Sequence, residues 1–589
     1  MVLKNNELEI FSKKVAEKFV FWFFNLYISQ YKFNQIFSAM TNMSNGFIKA
    51  NTIGPGANGA RTENGAISYA TIGTALLDQF GKAGSFRGRD IMDVWADQAK
   101  LWSEDPENAL KFPFYIRMIT RQSNILNGER TEKVQKGQGN RDESFKRLLW
   151  IAKYHPDEFY RNLWLLPIVG SWKDLWTLLS FEGADEYLDT DKFFEVMAEG
   201  INDPNHKDLV KKYMPRIRSD KKCTTSWAKS TNLMAKMFAK KAGWSYKEYR
   251  EFKATGVAHK FQTYICKGLY ANIDWKTIPG KALLNLVSGK FLKAHNLENG
   301  YIEWLKNQPV AKFNGYAYEL GRKLKECNFN PSLATKITID KQFDGLIQTA
   351  SKNDGAIQGN VLCALDTSSS MTSLIDVKNN ISAYDVCVSL GVYFSELNQG
   401  AFHNVVAMFD STSSLKTLSG TFTDKYTQIA RGTTAWGSTN FQSLIDLIVN
   451  TRKSRKDIPL EDFPKTLLVV SDMQFNPTNS WIYRGYDSAA ERTNYEEAMR
   501  KLRTVFPEEF VKDFKIIWWY CSNARTTDFP STMEDGGTYM LSGFDGAVVS
   551  FILGGDMPVK VDEKGNTVQP SMEDIVNAAL SQEVLTLVK

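Results

Sequence analysis

Apolar residues recur along this chain with two different periods, and the change falls near residue 355. From about 72 to 350 the spacing is helical. Ile91, Val94, Trp95, Leu101 and Trp102 fall on one 3.6-residue stripe, and Leu148, Leu149, Ile151 and Ala152 on another. Similar stripes recur over 157–180, 226–254, 257–271, 279–293 and 314–326. Alternating strands are not read here, and the Gly- and Asn-rich stretch 51–70 reads as loop. Many helices with short polar connections predict stacked helix pairs, an α-solenoid or ring of the HEAT kind, although no crisp repeat is present. After Gly355 come four continuous apolar runs: NVLCALD (360–366), NVVAMFD (404–410), KTLLVVSD (465–472) and FKIIWWYCS (514–522). Helical stretches over 383–397, 441–453 and 494–506 separate them. Strands apolar on both faces, alternating with helices, predict a doubly wound parallel sheet. The fold class expected is therefore α followed by α/β, divided as 1–45 (a poorly integrated extension), 46–355 (helical) and 356–589 (α/β). The run Phe19–Ser29 within the extension is too short to span a bilayer, and acidic residues flank it, so a membrane role is not expected.

Composition refines this picture in one respect. With 43% apolar and 23% charged residues the chain has the material for large cores and none of the signature of disorder. The net charge of +6 conceals an asymmetry: residues 1–355 hold 52 Lys+Arg against 38 Asp+Glu, and residues 356–589 hold 20 against 28. Within 211–250 there are 12 cations and 2 acids. Lys211, Lys212, Arg216, Arg218, Lys221, Lys222, Lys240 and Lys241 are the candidate contacts to a polyanion, and Trp227, Trp244, Tyr213 and Tyr246 are interleaved with them. The competing reading is a solvated helical surface, with Trp227 and Trp244 in the core.

Six cysteines without a CxxC pair fit reduced, buried thiols, Cys363 and Cys387 in core elements, and a cytoplasmic setting in a host cell or, for a viral chain, a virion. Five histidines without HExxH spacing do not suggest zinc. No phosphate-binding glycine loop and no nucleophile–base pair is present, so no enzyme is expected.

The ends of the apolar runs carry the chemistry. DTSSS places Asp366, Ser368 and Ser370 at i, i+2 and i+4 where the first strand stops. Thr439 lies in GSTNF before a helix, and Asp472 closes LLVVSD. Ligands of open α/β sheets bind beyond the carboxyl ends of the strands. Hard oxygen donors of this kind suit Mg²⁺, or Mn²⁺ or Ca²⁺ in its place. Thr433 and Thr434 are rival donors for the threonine position. This constellation resembles the metal-ion-dependent adhesion site of von Willebrand factor A domains. The resemblance implies a metal with one coordination position kept for an acidic group of a protein partner.

The front part carries TENGAISYATIGTALLDQF (62–80), SFRGRD (85–90), KGQGNRDESFKRLLW (136–150), LPIVGSWKDLW (166–176), MAKMFAKKAGWSYKEYR (234–250) and WKTIPGKALL (275–284). Together with the A-type domain it resembles the TROVE-module proteins typified by the Ro autoantigen, in a divergent branch. The resemblance implies a monomeric ring of HEAT-like helices closed by the A domain, binding misfolded or small structured RNAs, without carrying over individual RNA contacts. The alternative is a metal-dependent protein-interaction scaffold, such as a particle component. Within the quoted motifs, KGQGN reads as a turn or a close backbone approach, and Trp172, Asp174 and Trp176 as helix-start packing and capping.

Overall fold

The computed structural model describes residues 59–589 apart from short internal stretches, the longest of them 479–491. The 1–45 extension with its Phe19–Ser29 run, and Thr433 and Thr434, lie outside the described residues. Strands β1 (Gly59–Arg61) and β2 (Ile67–Tyr69) pair antiparallel, with Arg61 opposite Ile67. This corrects the loop reading of 51–70: three-residue strands are too short to display an alternation. Their turn needs Gly65, whose φ is +91°.

Helices follow, as the 3.6-residue stripes predict. The first are α1 (Ala75–Lys82), α2 (Ile91–Glu104), α3 (Pro106–Arg117) and α4 (Arg141–Tyr154). Thr74, Asp90, Asp105 and Asn140 cap them, each side chain accepting a backbone N–H of the first turn. Val94, Trp95 and Leu101 are buried, on the face the stripe assigns. The KGQGN segment is buried beneath this array. Gly139 takes φ +61°, and a Cβ there would come 1.9 Å from the Tyr316 hydroxyl, so turn and close approach coincide. Asp174 is not the cap of its helix, whose first position follows Trp172 without a side-chain cap. It accepts the Ser171 N–H at 2.9 Å, and holds Arg117 at 2.5 Å and Arg141 at 2.9 Å with its carboxylate fully buried.

Further along lie α5 (Lys207–Tyr213), α6 (Ser226–Lys241), α7 (Tyr246–Ala254), α8 (Ala317–Glu326) and α9 (Leu333–Asp354). A separate apolar cluster built on Phe261, Ile278, Leu283, Tyr301 and Leu305 supports the stretch between α7 and α8. No helix among the described residues is long and apolar enough to cross a membrane.

The C-terminal part is a six-stranded sheet with helices. Its strands are β3 (Val361–Asp366), β4 (Val405–Phe409), β5 (Ser413–Thr417), β6 (Thr466–Ser471), β7 (Lys515–Tyr520) and β8 (Thr538–Ser542), in spatial order β8-β7-β6-β3-β4-β5. All neighbours are parallel except the β4–β5 pair. Register sets Cys363 beside Leu468 and Ala364 beside Ala407. Strands β3 and β6 are buried along their whole length, which is why they read as unbroken apolar runs. Helices α10 (Ala383–Leu397), α11 (Phe422–Ala430), α12 (Phe441–Ser454), α13 (Asn494–Arg503) and α14 (Met572–Leu580) cover it. Capping boxes open α10 at Ser382 and α13 at Thr493. Cys363 and Cys387 are buried free thiols, as expected, and burial pushes the Cys363 thiol up to about 12.

The front end of the helical array docks on this sheet and the far end on the helices that cover it. From the front end, the Ser85 hydroxyl donates to the Tyr520 carbonyl at 2.5 Å, and the Gly84 N–H donates to the Ser542 hydroxyl at 3.1 Å. From the far end, Lys325 of α8 pairs with Asp385 of α10 at 2.9 Å, and Asp340 of α9 accepts the Thr423 N–H at 2.9 Å. One apolar core runs through both halves without a break.

Candidate metal centre

Three loops converge beyond the carboxyl ends of β3 and β6. Strand β3 ends on Asp366, whose Oδ1 accepts the Ser368 N–H at 2.9 Å, an Asx turn that folds DTSSS back on itself. The hydroxyls of Ser368 and Ser370 then lie 3.1 Å apart. From β6, the Ser471 hydroxyl donates to Asp366 Oδ2 at 2.5 Å. The next residue, Asp472, carries its carboxylate to the Ser370 hydroxyl. The backbone departs from the ordinary here: Met473 sits at φ +63°, a strained conformation for a side-chain-bearing residue, and its N–H is held by the Ser471 hydroxyl at 2.9 Å.

The third loop brings Thr439. Ser369 N–H donates to the Gly437 carbonyl at 3.3 Å and Asn476 N–H donates to the Thr439 carbonyl at 2.8 Å, so the loop is tied to both others. Gly437 is required by crowding, since a Cβ there would come 2.4 Å from the Ser411 hydroxyl and 2.8 Å from its backbone nitrogen. All five residues singled out in the sequence are thus drawn together. Asp366, Ser368, Thr439 and Asp472 are buried and Ser370 is half-buried.

Two supporting residues were not legible as such. Ser471, ahead of Asp472, is the hydroxyl that orients Asp366. Asp410 closes β4 and accepts the Thr412 N–H at 3.1 Å, while its carbonyl accepts the Asn440 N–H at 2.8 Å, fixing the Thr439 loop. A polar residue directly at the end of an apolar run was the available signal for both.

The electrostatics fit a hard divalent cation. Burial, and then the charge of Asp472, push the Asp366 carboxyl up to about 7, and burial raises Asp472 as well. Neither makes an ion pair with a lysine, arginine or histidine among the described residues. Two buried carboxylates meeting the Ser368, Ser370 and Ser471 hydroxyls, with no ion pair among the described residues, form an oxygen-only set of the kind a hard cation would suit. No cluster of three His, Cys, Asp or Glu that could hold a metal ion exists among the described residues.

The basic block divides. Lys211 is a correction: it is buried, its ammonium over the Phe252 ring at 4.5 Å and 3.1 Å from the Thr255 hydroxyl, because it falls on the inward face of α5. Lys241 is exposed but paired with Asp191 at 2.8 Å. Lys212 is half-buried beside Tyr213. Arg216, Arg218, Lys221, Lys222 and Lys240 are exposed and free of ion pairs among the described residues. The 216–222 segment lies against α6, where Asn232 accepts the Arg218 N–H at 2.8 Å and donates to its carbonyl at 3.2 Å. Trp227 is 49% and Tyr246 46% exposed, which corrects the core reading of Trp227. Trp244 is packed against Phe252 at 4.8 Å, as a core residue should be.

Two family models match this chain. Residues 360–584 match a domain of unknown function (DUF7788), beginning one residue before β3, and residues 62–273 match a second domain of unknown function (DUF2828). The chain is also similar to Uncharacterized protein L728 of Acanthamoeba polyphaga mimivirus, 22% identical over 540 residues, which cover 84% of this chain and 85% of that protein.

Proposed function

We propose that this chain is a non-enzymatic, Ro-like RNA-binding protein: a TROVE-type array of HEAT-like helices closed by a von Willebrand factor A type domain that holds Mg²⁺ through Asp366, Ser368, Ser370, Thr439 and Asp472. The observation that carries the RNA reading is the set of exposed cations Arg216, Arg218, Lys221 and Lys222, without ion pairs among the described residues, on a segment bonded to Asn232 of α6, the helix whose first turn carries the exposed Trp227. Cations for phosphates and exposed rings for base stacking are what a single strand requires. Burial, and then the charge of Arg216, lower the proton affinity of Lys253 nearby.

The test is filter binding of single-stranded RNA across a salt series. With each neutralised phosphate worth a slope of roughly −0.7 in log K against log salt, replacing Arg216, Arg218, Lys221 and Lys222 together by alanine should flatten the slope by about three units. Thermal stability should barely change, since exposed unpaired charges contribute little. The scaffold reading, in which the metal grips an acid of a partner, expects weak RNA binding and no sensitivity to these four positions beyond that of four lysines elsewhere. Wild-type affinity in the quadruple variant would remove RNA from this surface.

A further inference from the structure

The turn between β1 and β2 does not end in solvent. It sits on the loop that follows Asp472. The Thr62 hydroxyl donates to the Phe475 carbonyl at 2.7 Å, the Glu63 N–H donates to Gln474 Oε1 at 2.6 Å, and the Asn64 amide donates to the Gln474 carbonyl at 2.5 Å. Gly65 packs on the far side, the position of its absent Cβ being 3.8 Å from Pro477. The turn is itself closed by the Gly65 N–H donating to the Thr62 carbonyl at 2.8 Å and the Ala66 N–H donating to the Thr62 hydroxyl at 3.0 Å. Four consecutive residues are therefore registered on 474–477, a segment more than 400 positions away in sequence.

This register places Glu63 at the tip of the turn, next to the candidate metal centre. Its backbone is held by the residue two positions beyond Asp472, its side chain is exposed, and it makes no ion pair among the described residues. Its charge is among those felt by Asp472. A third carboxylate beside two that are already buried together is unfavourable electrostatically and has no packing role to offset it. A divalent cation between them reverses the sign of that interaction.

We propose that the acidic group at the open coordination position of this centre comes from within the chain, and that it is Glu63. The inference rests on the metal reading given above. The donor set of the sheet, two carboxylates and three hydroxyls, leaves room for one more oxygen ligand in an octahedral or larger shell. No three carboxylates form a cluster among the described residues, so the contact closes by rotation of the Glu63 side chain while the backbone stays on Gln474. The centre is then a latch: the metal fastens the start of the helical array to the sheet, and a protein partner's acid must compete with an internal one.

The test uses the full chain with MnCl₂ as probe, calorimetry for affinity, and hydrogen exchange at the backbone of 62–66 for the latch. In the wild type, Mn²⁺ should slow exchange at Gly65 and Ala66. Glu63→Gln should weaken Mn²⁺ binding by at least about tenfold, the loss typical of disturbing a group that supports a metal. It should also abolish the metal-dependent slowing. In Glu63→Ala, added acetate should restore affinity by supplying the missing carboxylate, a rescue that a purely structural role for Glu63 would not give. Wild-type affinity and wild-type slowing in Glu63→Gln, with Asp366→Ala no longer binding Mn²⁺, would overturn the latch and leave the metal centre standing. Unchanged binding in Asp366→Ala would overturn both.

Discussion

Replacing Asp174 by alanine is expected to cost roughly 3–5 kcal/mol of stability, the range for removing one partner of a buried ion pair. The partner left behind decides this. Arg117 is 2% exposed, Asp174 holds it at 2.5 Å, and its Nε already lacks a hydrogen-bond partner. Burial lowers the proton affinity of Arg117, and the charge of Asp174 is the strongest influence restoring it. Without the carboxylate a guanidinium stays buried and uncompensated. Arg141, the second partner, is 42% exposed and can turn to water, so it adds little to the loss. The double variant Arg117→Met, Asp174→Leu should recover much of the stability, because similar-sized apolar residues often replace a buried pair at no net cost. Urea unfolding of the three proteins measures this. A midpoint for Asp174→Ala within error of wild type would show that Arg117 finds another partner.

Metal removal is expected to have an effect of similar size, and one that depends on pH. A cation present at 100 times its dissociation constant stabilises by about 2.7 kcal/mol. The Asp366 carboxyl lies at about 7 in the folded protein, against about 3.9 in an unfolded chain. Between those values the folded state binds more protons than the unfolded one, so the metal-free protein loses stability as pH rises from about 4 to about 7. Bound metal favours the ionised carboxylate and cancels that loss. The rise in melting temperature on adding Mn²⁺ should therefore be larger at pH 8 than at pH 5. Asp366→Ala should abolish both the rise and its pH dependence without unfolding the protein, because a loop at a strand end contributes little to the core. Calorimetry giving equal Mn²⁺ affinity for Asp366→Ala and wild type would sink the site.

What could be read in the sequence follows from what burial does to residue order. Strands β3, β4, β6 and β7 lie inside the sheet, buried between helices, and left continuous apolar runs. Strand β5, SSLKT, is an antiparallel edge with mostly exposed side chains, and nothing apolar marks it. Strand β8, TYMLS, is buried but borders the docked helices of the front half, and its polar ends hide it. The five residues of the proposed metal centre could be singled out because, in open α/β sheets, ligand positions fall at strand ends. The basic block was legible only as a sum: counting cations ignores helical phase, and so it credited the inward-facing Lys211 equally with the exposed Lys222. Trp227 and Trp244 are indistinguishable by composition, yet Trp227 is exposed and Trp244 half-buried against the core. Glu63 was beyond reach, since its neighbours are set by a pairing of turn and loop across the whole chain.

The edge of the sheet has a consequence for how this protein can be inherited. Strand β8 ends the sheet, and it is α1 and the residues after it that cover that edge, with Phe80, Gly84 and Ser85 bonded to Ser542 and Gly543. A C-terminal half expressed alone from Asn360 would lose these bonds and expose an edge strand, a template for strand-to-strand association. Its sequence boundary is therefore not a boundary of foldability. Recombination that exchanged one half for that of an unrelated protein would have to bring matching cover for the other.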